Sequence, residues 1–114
     1  MEKLDLKKQW KNLYSPSASK LEFVRVPKLQ FAAIKGEVES GHGPGTSPEF
    51  AEALEALYGI SYTLKFNSKL RQEDPIDYSV MGLEGLWWAE DGAFDITQPA
   101  GWKYTVLIMQ PAHI

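Results

Sequence analysis

At 114 residues the chain has the length of one domain with a single modest core, and a 44% hydrophobic, 12% aromatic composition excludes a disordered chain. A net charge of −3 gives no general attraction to nucleic acid, and the absence of cysteine excludes disulfides and thiol chemistry. No apolar run has the length of a membrane span and the N-terminus carries no signal-peptide core, so the expectation is a soluble cytoplasmic protein without nucleic-acid or membrane partners.

Residues 1–20 read as an irregular N-terminal arm. Its lysines (Lys3, Lys7, Lys8, Lys11) are interrupted by Glu2 and Asp5, as on a solvated face. Leu6, Trp10, Leu13 and Tyr14 fall at helical spacing for a turn or two before Ser15-Pro16-Ser17 breaks the pattern. Trp10 is the expected anchor that lays the arm on the domain or on another subunit. Residues 21–26 (Leu-Glu-Phe-Val-Arg-Val) predict a strand ending at Pro27, and residues 29–37 predict a second. Residues 40–47, with Gly41, Gly43, Gly45, Pro44 and His42, are a loop.

A helix follows, to about Asn67. Thr46-Ser47-Pro48-Glu49 offers an N-cap with proline in the first turn, and Thr46 with Glu49 fits capping-box spacing. Phe50, Leu54, Leu57, Ser61 and Leu64 fall on one stripe with Ala53 and Ile60 beside it, while Glu52, Glu55, Ala56 and Thr63 face away. Such a helix covers one side of a sheet. Residues 68–76 connect it to residues 77–90, read as one long strand bent at Gly82. A turn region runs from Asp91-Gly92 to Gly101, and residues 102–110 form the last strand. The predicted fold class is α+β: an antiparallel sheet with one main helix packed on one face, as a single unit over residues 21–114.

The segment 84–90 carries two adjacent tryptophans. Successive strand side chains point to opposite faces, so Trp87 and Trp88 do different work. Glu84 and Leu86 share a face with Trp88, while Gly85 and Ala89 flank Trp87 and leave its indole open to approach. A carboxylate beside broad aromatic faces suits a flat or cationic small molecule. The pattern leaves open which indole is core and which faces a ligand, and equally that the second merely caps a sheet edge.

Several runs occur in one order: Pro48-Glu49-Phe50, then Leu57-Tyr58-Gly59-Ile60-Ser61-Tyr62-Thr63-Leu64-Lys65-Phe66, then Leu83-Glu84-Gly85-Leu86-Trp87-Trp88, then Val106-Leu107-Ile108-Met109-Gln110-Pro111. Together with the opening Leu4-Asp5-Leu6-Lys7-Lys8 and Leu13-Tyr14, they resemble the GyrI-like small-molecule-binding family, in its stand-alone branch without a DNA-binding domain. The resemblance implies a duplicated strand–helix–strand–strand module, with paired sheets, helices on one face and a ligand cleft on the other. It further implies binding of hydrophobic, often cationic compounds and, in some stand-alone members, hydrolysis of cyclopropane-bearing natural products. This chain matches the first module of the pair, half of the duplicated arrangement, and an important acidic residue of the family belongs to the second. A homodimer restoring two modules is therefore expected.

The expected ligand-binding residues are Glu84, Trp87, Trp88, Tyr104, Tyr58, Tyr62 and Phe31. Glu84 would neutralise a cation or, with a pKa raised by burial, act as a base; otherwise it is a strand-end carboxylate in water. Tyr58 and Tyr62 either present hydroxyls to a pocket or flank the helix stripe, and Tyr104 and Phe31 are pocket walls or ordinary cross-strand contacts. His42 and His113 lack ligand-like neighbours, so neither metal nor cofactor is expected. The leading functional expectation is small-molecule binding. Hydrolysis of a strained electrophile and a protein-interaction module are the alternatives.

Overall fold

The computed structural model describes residues 1–90 and 95–114. In chain order the elements are β1 (Glu2–Leu4), α1 (Leu6–Gln9), α2 (Lys11–Tyr14), β2 (Gln30–Glu37), α3 (Pro48–Leu70), β3 (Ile76–Tyr78), β4 (Glu84–Trp88) and β5 (Lys103–Gln110). β2, β5 and β4 form an antiparallel sheet in that order, and β1 pairs with β3 in parallel as a separate two-stranded ribbon. The predicted α+β class is the observed one: α3 lies on one face of the antiparallel sheet.

Alternation along β5 sets the core. Tyr104, Val106, Ile108 and Gln110 are buried towards α3, where Ala53, Leu57 and Ser61 meet them. The register places Gly36 opposite Tyr104 and Ile34 opposite Val106 on β2, and Trp87 opposite Tyr104 on β4. Gly36 is required by close approach: a Cβ there would stand 2.3 Å from the Tyr104 hydroxyl.

α3 starts at Ser47, whose side chain accepts a hydrogen bond from the Phe50 N–H at 3.0 Å, with Pro48 in the first turn. The cap is therefore Ser47 and not the expected Thr46–Glu49 box. Thr46 Oγ1 instead accepts from the Gly43 N–H, the Gly43 carbonyl accepts from the Ser47 N–H that a box glutamate would cap, and Glu39 accepts from the Ser47 hydroxyl and the Glu49 N–H. The helix runs to Leu70, past the expected end near Asn67, because tertiary partners hold its last turn. Ser68 is buried and donates to the Ile76 carbonyl at 2.7 Å, while Lys65 and Lys69 bracket Asp77 at 3.5 and 3.8 Å. Ile60, expected beside the buried stripe, is exposed.

Three further expectations change. Residues 21–26 form no strand: they have strand-forming residues but pair with no strand edge within the chain, and a strand is defined by its partner. Residues 77–90 are not one bent strand but β3 and β4 in different sheets, separated by residues 79–83, in which Met81 is buried. The N-terminal arm is also more regular than expected, for β1 ties it to β3 and the predicted helical turns are α1 and α2. Asp91 and Gly92, where the expected turn region begins, lie outside the described residues. Among the described residues no helix is long and apolar enough to cross a membrane.

Candidate functional site

The face of the sheet turned away from α3 carries Phe31, Ala33, Lys35 and Glu37 from β2, Lys103, Thr105, Leu107 and Met109 from β5, and Glu84, Leu86 and Trp88 from β4. One end is covered. Leu6 and Trp10 of the arm pack near Met109, which is buried, and bound a cavity of about 500 Å³ with Leu29 and Pro111. Towards the middle the cover opens into a groove of about 520 Å³, bounded by Leu13, Tyr14, Leu21, Val24 and Val26 above and by Phe31 and Glu84 below. At the far end Leu86 and Trp88 (40% exposed) are uncovered.

Glu84 is half-buried and receives the Tyr14 hydroxyl at 2.9 Å. Burial, the hydrogen bond to Glu84 and the negative charge of Glu84 push the Tyr14 phenol up to about 12. Tyr14 is therefore a neutral donor throughout the physiological range. Its hydrogen bond fixes the arm over the sheet and holds Glu84 in place, with the carboxylate still able to accept a second donor or face a cation.

The structure divides the expected site residues. Glu84 and Phe31 line the same groove, and Trp88 lies on the same face four residues along β4, about 13–14 Å from Glu84. Trp87 and Tyr104 occupy the other face, inside the core. The Trp87 ring lies 5.2 Å from Phe50, 5.4 Å from Tyr104 and 6.2 Å from Trp102, in tilted and edge-on contacts. Its indole folds back over Gly85, so the small neighbour makes room for packing rather than for a ligand. Tyr58 and Tyr62 lie exposed on α3, across the sheet from Glu84. Tyr14 is the site residue missing from the sequence-based set. Its position four residues after the anchor Trp10 is the signal that would have found it, because that spacing directs both rings to one side.

Ser68 Oγ and His113 Nε2 stand 2.8 Å apart, the spacing of a nucleophile and its base. Two facts make the pair structural: Ser68 is 3% exposed, and its hydroxyl proton is directed to the Ile76 carbonyl. His113 therefore donates from Nε2. Among the described residues no cluster of three or more acidic, histidine or cysteine side chains is arranged to hold a metal.

No family model matches the chain, and no curated protein matches it. Among solved structures it is similar to an uncharacterized conserved protein of Listeria innocua, at 33% identity and a TM-score of 0.82 over 97% of this chain. It is also similar to two proteins of the same organism described as hydrolases, at 31% and 30% identity with TM-scores of 0.79 and 0.71 over 99% and 97% of this chain. The chain spans about half the length of each of these structures, 52–53%. Its likeness to them thus extends over fold and sequence alike, and covers one half of each.

Proposed function

We propose that this chain is a GyrI-like module that binds hydrophobic, aromatic or cationic small molecules on its open sheet face, acting in the cytoplasm as a homodimer. The observation that carries the reading is Glu84: a half-buried carboxylate, oriented by the Tyr14 hydroxyl, at the floor of a largely apolar groove whose lining also includes the opposed charges Lys20 and Glu22. Phe31 and, from the segment before β2, Leu21, Val24 and Val26 supply apolar contact, Glu84 the counter-charge, and Trp88 an aromatic face farther along. Titration with an aromatic cation such as ethidium, followed by intrinsic tryptophan fluorescence and calorimetry, tests it. Glu84→Gln should weaken binding about tenfold, by the cation–carboxylate attraction in a partly desolvated site. Unchanged affinity in both Glu84→Gln and Trp88→Ala would remove the site.

A second reading, hydrolysis of a strained electrophile, is favoured by the description of two similar structures as hydrolases and by the Tyr14–Glu84 pair. In it Glu84 takes a proton from water while the water oxygen bonds to a cyclopropane carbon. The electron pair of the broken carbon–carbon bond passes to an acceptor group conjugated with the ring, which is then protonated. A product heavier by one water, lost in Glu84→Gln while binding persists, would establish this reading over simple binding.

A further inference from the structure

Residues 21–26, a few residues before β2, combine strand-forming composition with exposed apolar side chains. Leu21 is 98% exposed, Phe23 is fully exposed, and Val24 and Val26 are also open to solvent. Four apolar side chains in six residues, bared together, are far from the normal scatter of single exposed apolar groups on a monomer. No residue from Lys20 to Lys28 takes part in a hydrogen bond or ion pair among the described residues, so the backbone presents a full row of unused donors and acceptors. The antiparallel sheet is open in the same way. β2 and β4 are its outer strands, with no strand paired along their outer sides among the described residues.

Shape points in the same direction. The radius of gyration is 17.0 Å, with extents of 48 × 36 × 21 Å. A compact chain of this length has a radius of gyration of about 13 Å. The similar solved structures carry about as much chain again beyond the half that matches, and a second copy of this chain supplies that amount.

We infer that residues 21–26 form a β-strand in trans, adding to an outer edge of the sheet in a second copy of this chain, with the exchange reciprocated. This deepens the pairing proposed above and rests on it. Main-chain hydrogen bonds supply the attachment, and the alternating side chains cover sheet surface on either side. Glu22 and Arg25 punctuate the apolar run and Pro27 ends it, which limits open-ended edge pairing. Leu21, Val24 and Val26 also border the groove over Glu84 of their own chain, so the segment that pairs in trans adjoins the proposed ligand site.

Sedimentation over a range of concentrations, with amide hydrogen exchange, tests the inference. The wild-type chain should sediment at twice its 12.8 kDa mass, with amides 21–26 protected. Val24→Pro removes one amide donor and blocks ladder pairing, and should weaken self-association about 100-fold with unchanged helix content. Phe23→Asp should act in the same direction without altering the backbone. A dimer whose 21–26 amides exchange freely, and which survives both substitutions, overturns the trans strand while leaving the pairing in place. A monomer at all concentrations, or one that captures only a different protein, overturns both. Ethidium affinity in Glu84→Gln reports on the ligand site independently of either outcome.

Discussion

Trp87 fills the space between Phe50, Tyr104 and Trp102, whereas Trp88, one residue on, has solvent over much of its ring. Truncating the first removes three aromatic contacts and opens a cavity; truncating the second removes surface that solvent already reaches. Trp87→Ala should therefore lose about 3–5 kcal/mol of stability in urea denaturation. Trp88→Ala should lose less than about 1 kcal/mol while still diminishing ligand binding. Equal losses, or the reverse order, would show that the two indoles have been assigned to the wrong faces. Alternation along the sequence was enough to separate these residues, and to put Glu84 with Trp88. It could not say which face is buried, because that depends on β4 meeting β5 with Trp87 opposite Tyr104. The Tyr14–Glu84 hydrogen bond joins residues 70 positions apart, and local pattern carries no record of such a contact.

At the scale of elements, the legible parts are those with local causes. α3 has a proline and a serine at its start and a buried stripe at helical period, all within its own sequence. β1, α1 and α2 are only three or four residues each and have no stability alone, so they exist through what they touch. The same dependence hid the division of residues 77–90, since β3 is claimed by β1 and β4 by β5. The C-terminal segment is likewise held by tertiary contacts. His113 donates to Ser68 on α3 and sets its ring edge-on to Tyr78 on β3, 5.7 Å between centroids. Burial first, and then the charge of Arg71, lower the His113 pKa from 6.5, with Glu2 opposing them. The unfolded chain therefore binds a proton before the folded one as pH falls. Stability from this group is complete above pH 6.5 and is lost as pH falls through the folded-state value. His113→Gln retains a donor for Ser68 without the titration, so its urea midpoint should fall less than that of wild type between pH 7.5 and pH 5. Parallel profiles for the two proteins would show that His113 protonation is not what loosens this corner.

Over the whole molecule, the two faces of the sheet are unequally served. α3 seals one with Ala53, Leu57 and the aromatic cluster, while the arm covers only part of the other and leaves Phe31, Leu86 and Trp88 in contact with solvent. A chain of 114 residues with this much apolar surface in reach of water has an incomplete core, and pairing two copies increases the fraction of surface buried. If folding and pairing are coupled, stability must depend on concentration by mass action. Each tenfold increase in protein adds about 1.4 kcal/mol per pair. For a unit of roughly 150–250 residues, 1 kcal/mol corresponds to about 2–4 °C in melting temperature, so Tm should rise by about 3–6 °C per tenfold increase in concentration. Calorimetry at several concentrations measures this directly, and Val24→Pro supplies the contrast. Its melting temperature should be lower at a given concentration, and should stop depending on concentration where the weakened pair has dissociated and the chain melts alone. A wild-type Tm that stays constant over a hundredfold concentration range would mean that the open face is stable in water without a twin. Ligand would then be the only cover the proposed site needs.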